Sequence, residues 1–162
     1  MSARFDDCTR FILAEECDYP WTTTGEYTNL KNDPGGPTKW GIDLRGERQT
    51  GGHPDWTASN IQSLSHDDAV AIYQAHYWDG HKCGDQPTNL DACFYNSWVN
   101  GGEPSKWIAD CEGDWQKYLD LQEIYYRDIA DEHPTLKQYL SDWLGRTARL
   151  KHFIITGDVL RP

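Results

Sequence analysis

The stretch Asp33-Pro34-Gly35-Gly36-Pro37-Thr38-Lys39-Trp40-Gly41-Ile42-Asp43 decides the fold. Proline and glycine at its start make a turn, because proline fixes φ and glycine accepts conformations closed to other residues. The β-branched and aromatic residues on either side suit a pleated strand. Together with the polar, Thr-rich run Tyr19 to Lys31 that precedes it, this predicts a hairpin or small irregular sheet over about 19–44. No other part of the chain supports β structure.

Outward from that segment the pattern is helical. Before it, Phe5, Cys8, Phe11 and Ile12 recur at three- and four-residue steps, which predicts a helix over Arg4–Glu16 with one apolar stripe. Glu15 and Glu16 flank the stripe, and the wheel alone does not say which points into the fold. After a loop through Gly51, Gly52 and Pro54 the chain reads as helical over about 57–156. Ser65 with Asp68 three residues on is a capping-box start. A helix over about 89–100 is predicted to stop at Gly101-Gly102. A long amphipathic helix carries Trp115, Tyr118, Leu119, Gln122, Tyr125, Tyr126 and Ile129 and ends at Pro134. The last helix runs from Leu136 to Phe153 with a bend or break expected at Gly145. A helix, a hairpin and a helical bundle give an α+β, mainly α-helical fold of lysozyme-like outline.

With 162 residues the chain is expected to form a single domain, 1–162. A net charge of -11 repels polyanions, so nucleic acid is not an expected partner, nor is an anionic lipid surface. The first fifteen residues mix Arg4, Asp6, Asp7, Arg10 and Glu15 among apolar positions, unlike a secretory signal, and no stretch reaches membrane-spanning length. The expected product is made in the (host) cytoplasm, without stable membrane insertion. Five cysteines, Cys8, Cys17, Cys83, Cys93 and Cys111, match no zinc spacing and read as buried thiols, with Cys83–Cys93 or Cys8–Cys17 bridges as the alternatives. The six histidines show no pairing pattern, so neither a metal site nor a Ser-His mechanism nor a cofactor is expected. The aromatic residues, 8 Trp, 9 Tyr and 4 Phe, lean towards a cleft that is apolar and wet at once.

The residues from Phe5 to Asp43 resemble the start of glycoside hydrolase family 108, the muramidases of phage-endolysin and secretion-associated kind. That family has a helix ending in Glu-Gly-Gly-Tyr and then Asp-Pro-Gly-Gly-x-Thr-x-aromatic-Gly-Ile. Here these stand as Glu16-Cys17-Asp18-Tyr19 and Asp33 to Ile42. Ala71-Ile72-Tyr73 with Tyr77-Trp78-Asp79 is similar to the family's Tyr-Trp-Asp helix end, and Val99-Asn100 before glycine to its Ala-Val-Asn-x-Gly. Tyr125-Tyr126, Pro134, Trp143 and Arg146 are similar to its closing segment. The chain departs from the pattern in two places. Cys17-Asp18 replaces the double glycine, so the turn leaving the helix is expected to form without a positive φ. The connection from Tyr19 to Asn32 is also longer, and the alignment that seats Phe5, Phe11-Ile12-Leu13 and Glu16 together is preferred over one that puts Thr24 at the glutamate.

The resemblance implies a peptidoglycan hydrolase cutting the β-1,4 bond between N-acetylmuramic acid and N-acetylglucosamine. Its partners would be the glycan strands of the wall, reached in the periplasm or outside through a holin or a secretion apparatus, and it is expected to act as a monomer. Glycoside cleavage needs a protonated carboxyl for the departing oxygen and a second polar group at the sugar carbon. Glu16 is the expected acid, since an apolar stripe and the negative end of a helix dipole both favour its protonated form. Asp33 and Thr38 are the candidates opposite it, to stabilise positive charge and hold water, although Asp-Pro-Gly-Gly needs only turn chemistry to explain it. Asp43, Asp18 and Glu26 are rivals for the second carboxylate. Trp40, Tyr77 and Trp78 are candidates to stack on sugars, and Asn96 and Asn100 to hydrogen-bond them; core packing and helix capping explain the same residues. The alternatives are a degenerate glycan-binding or phage structural module, and a hydrolase of chitin or chitosan.

Overall fold

The computed structural model describes residues 3–31, 33–100 and 104–162. It is mainly helical with one small antiparallel sheet, an α+β protein, and it divides into two compact units, Met1–Gly80 and His81–Pro162. Among the described residues no helix is long and apolar enough to cross a membrane.

The first unit opens with α1 (Ala3–Cys17). Its apolar stripe is buried as the spacing predicts, with Phe5, Cys8, Phe11 and Ile12 at most 2% exposed. The buried surface is wider than that stripe, because Thr9, Leu13 and Ala14 are buried too. The helix leaves through Asp18 at φ 58°, which corrects the expectation of a turn without positive φ. Aspartate is among the few non-glycine residues that enter the left-handed region with little strain, since its short polar side chain can bond locally.

Three two-residue strands come next: β1 (Tyr27–Thr28), β2 (Thr38–Lys39) and β3 (Ile42–Asp43), in the order β1-β2-β3 and antiparallel throughout. The Pro-Gly turn lies in the longer β1–β2 connection. The tight hairpin is Trp40-Gly41, between β2 and β3, with φ of 56° and 74°. Positive φ at both central residues is the turn whose twist matches that of the flanking strands. Trp40 is held in this unfavourable conformation by burial and by its indole N–H, which donates to the Leu64 carbonyl at 3.2 Å.

From β3 the chain passes directly into α2 (Leu44–Gln49), with Asp43 as N-cap accepting from the Gly46 N–H at 2.8 Å. After α3 (Ala58–Ser63), the predicted capping box opens α4 (His66–Ile72): Ser65 and Asp68 bond each other's backbone N–H groups. The helix does not end at Ile72. It widens into a π-helix over Tyr73–Asp79, a form often found at functional sites.

The second unit holds a short 3₁₀ turn (Cys83–Asp85), then α5 (Leu90–Val99), α6 (Ser105–Ile108), α7 (Trp115–Glu132), a 3₁₀ segment (Pro134–Tyr139) and α8 (Leu140–Thr156). Pro134 stops α7 as expected. The predicted stop at Gly101-Gly102 lies outside the described residues. Gly145 does not break α8, which runs on to a left-handed Gly157. A glycine costs about 1 kcal/mol in a helix, and the buried positions Thr147, Leu150 and Phe153 outweigh it. At the centre of this unit Tyr118 and Gln122 both donate to the Ser97 hydroxyl, at 2.8 and 2.9 Å.

Candidate active site

Glu16 is the penultimate residue of α1 and is half-buried. Its side chain lies on the tight hairpin: a Cβ at Gly41 would stand 2.7 Å from the Glu16 Cβ and 2.6 Å from the Tyr73 hydroxyl. Glycine is therefore required at 41 for space as well as for its φ of 74°. The Tyr73 hydroxyl donates to the Trp40 carbonyl at 3.1 Å and so ties the same turn to the start of the π-helix. Three elements that the sequence separates by more than twenty residues thus meet at Glu16.

Asp43 and Glu47 belong to the corner where β3 becomes α2. Glu47 stands one helical turn beyond Asp43, is 5% exposed, and has an Oε2 with no hydrogen-bond partner among the described residues. Two imidazoles face its carboxyl, His53 Nε2 at 3.8 Å from Oε2 and His76 Nδ1 at 3.8 Å from Oε1. Burial, and then the charge of Asp43, push the Glu47 carboxyl up to about 7. Burial and His53 push His76 down, so that ring favours its neutral form. Among the described residues no cluster has the arrangement of a metal site. The phenol of Tyr77, on the π-helix, is pushed up by burial first, then by Glu47, Asp43 and Glu16. The three carboxyls therefore share one electrostatic neighbourhood around Tyr77. Carboxyls gathered in one neighbourhood are what acid–base cleavage of a glycoside requires.

Thr38 pairs with Asp43 across β2 and β3, which puts their side chains on the same face of the sheet. Its hydroxyl donates to the Gly36 carbonyl at 3.0 Å. Asp33 closes its own turn: its Oδ1 accepts from the Gly35 N–H at 2.9 Å, and its carbonyl from the Gly36 N–H at 3.1 Å. Glu26 is exposed, and Asp18 makes the turn just after α1. Trp40 and Trp78, 2% and 6% exposed, are core residues with no face open to a sugar; Trp78 packs edge-on to Phe5 at 5.7 Å. Tyr77 is half-buried beside Tyr73. In the second unit Asn96 is buried and accepts from Arg146 Nε at 2.8 Å, while the Asn100 amide donates to the Tyr126 hydroxyl at 3.4 Å and its backbone N–H caps α5.

Sequence reasoning missed Glu47, His53 and His76. The available signal was a glutamate four residues after a helix-capping aspartate, followed by Gly51-Gly52; Gly51 packs so closely on the Glu47 carboxyl that no side chain fits there. Beside Glu16 the Cys17 thiol donates to the Leu13 carbonyl at 2.9 Å, and burial above all pushes it up to about 11. None of the five cysteines is joined in a disulfide.

Compared with known proteins, residues 13–102, more than half of the chain, match the model of a family described as Glycosyl hydrolase 108. No curated protein and no solved structure matches.

Proposed function

Because the chain belongs to the glycosyl hydrolase 108 family and is by that membership a glycoside hydrolase, we propose that it cleaves peptidoglycan at the β-1,4 bond between N-acetylmuramic acid and N-acetylglucosamine, with Glu16 as general acid. The observation that carries this reading is the seat of Glu16 on the hairpin turn at Gly41. A half-buried carboxyl at a helix end, fixed against a β-turn, is held in one position from which it can deliver a proton to the departing glycosidic oxygen. On the Thr38 and Asp43 face of the sheet, a hydroxyl and a carboxylate supply what the sugar carbon requires: a holder for the attacking water and a negative charge to stabilise the oxocarbenium ion. Tyr77, half-buried among the carboxyls, is the aromatic residue best placed to touch the sugar.

Lysis of purified cell walls, followed by turbidity and by zymogram, tests the reading. Glu16→Gln keeps the size of the side chain and removes the acid, and activity should fall roughly hundred- to ten-thousand-fold with the circular dichroism unchanged. A wild-type protein that opens no wall glycan would point to a binding module. Release of sugars from chitosan but not from peptidoglycan would move the substrate class.

A further inference from the structure

Glu47 is a buried carboxyl that the proposed reaction does not use. It is 5% exposed, one of its oxygens has no hydrogen-bond partner among the described residues, and it faces Asp43 from one turn along α2, His53 from the loop after that helix, and His76 and Tyr77 from the π-helix. None of these neighbours is a permanent cation. An ionised Glu47 would place a second negative charge beside Asp43 in a poorly solvated corner, with none of the described residues donating to Oε2. A protonated Glu47 removes that repulsion and leaves the charge on Asp43, which is already stabilised as N-cap by the Gly46 N–H.

We propose that Asp43 and Glu47 form a carboxyl pair in which Asp43 carries the charge and Glu47 the proton, so that Glu47 acts as a positioning residue that keeps Asp43 as the anion of the hydrolytic site. The inference rests on the hydrolase reading and assigns its second carboxylate. Glu47 touches no substrate. It acts by holding the β3–α2 corner closed, with Asp43 on the Thr38 face and Tyr77 among the three carboxyls. The carboxyl pushed up to about 7 by burial and by Asp43 is the expected signature of such a division of roles. Above that value Glu47 ionises, the pair repels, and the site loses its arrangement.

Two measurements on the full chain test this. In the wild type, with ¹³C-labelled carboxyls followed by NMR, one glutamate should titrate between about 6 and 8, far above the usual glutamate range, and Glu47→Gln should remove that titration. In wall hydrolysis, Glu47→Ala should lower kcat roughly tenfold. Glu47→Gln, which copies the protonated form, should restore most of that loss and move the alkaline decline upward by about one pH unit or more. A side chain with only a packing role would give Glu47→Gln the wild-type pH profile, and that result overturns the proposal. So does the absence of a near-neutral carboxyl titration. If the wild type cleaves no wall glycan, the hydrolase reading fails by itself, and the NMR titration still decides whether the pair exists.

Discussion

Asp33 and Asp43 stand at two bends of one small sheet, and each accepts a backbone N–H at the start of its bend, at 2.9 and 2.8 Å. Around Asp33 the chemistry stops there: the carboxylate closes the Pro-Gly turn that it begins. Around Asp43 it continues inward to Glu47, two imidazoles and the Tyr77 phenol. The difference lies in the kind of chain that leaves each bend. A loop of glycine and proline has no side chains to bury a second acid, whereas a helix starting at Asp43 brings Glu47 back over the capping residue one turn later. The most conspicuous motif in the sequence therefore shapes the sheet, and the less conspicuous corner gathers the charge.

The largest expected effect bears on the burial of Glu47. Its carboxyl is raised from 4.5 to about 7 in the folded chain. Between those values the folded chain keeps a proton that the unfolded chain has released. The contribution to stability is thus complete below about pH 4.5 and is lost as pH rises through about 7, roughly 3 kcal/mol in all. His76, whose pKa is depressed, works in the opposite sense, losing stability as pH falls, so the comparison of wild type with Glu47→Gln isolates the glutamate. Urea unfolding from pH 4.5 to 8 should show the wild type declining relative to the variant; parallel curves would make the corner no different from the turn.

Next in size, Asp43→Asn preserves a helix cap, because asparagine is a good N-cap, and removes the charge. It should lower kcat roughly hundredfold, while Asp33→Asn lowers it less than about threefold. Steady-state hydrolysis of wall fragments reads both, and the reverse order would return the second carboxylate to the Pro-Gly turn. The smallest effect concerns the tight turn of the same sheet. Gly41→Ala forces an alanine to φ 74° and a methyl group against Glu16 and Tyr73, and should destabilise by about 2 kcal/mol. An unchanged thermal midpoint would mean that Glu16 does not sit where the hairpin presents it.

Much of the frame was legible in the sequence. The apolar stripe of α1, the location of the described β structure, the Ser65–Asp68 capping box and the arrest of α7 at Pro134 came from periodicity, turn chemistry, capping and the missing proline N–H. The features that escaped depended on partners distant in sequence. A tryptophan at φ 56° does not read as a hairpin residue; it takes that conformation because its indole is buried under Gly25 and bonded to Leu64. The π-helix has no periodic signature over seven residues, and it extends a helix that propensity alone would leave regular. Glu16 was singled out by its likeness to a family motif, because the helical wheel left it level with Glu15, and its seat on the Gly41 turn came only with the fold. Glu47 was not, since a glutamate in a six-residue helix reads as surface until the fold closes Gly51 over it.

The thiol next to Glu16 bears on how this protein behaves towards reagents. Alkylating agents and oxidants attack the thiolate, and a group pushed up to about 11 and donating to the Leu13 carbonyl supplies almost none at neutral pH. The cysteine at position 17 thus leaves the neighbourhood of Glu16 chemically quiet. Cys17 adds bulk at the end of α1 without adding a nucleophile, and inhibitors that work by trapping sulfur would find little to react with there.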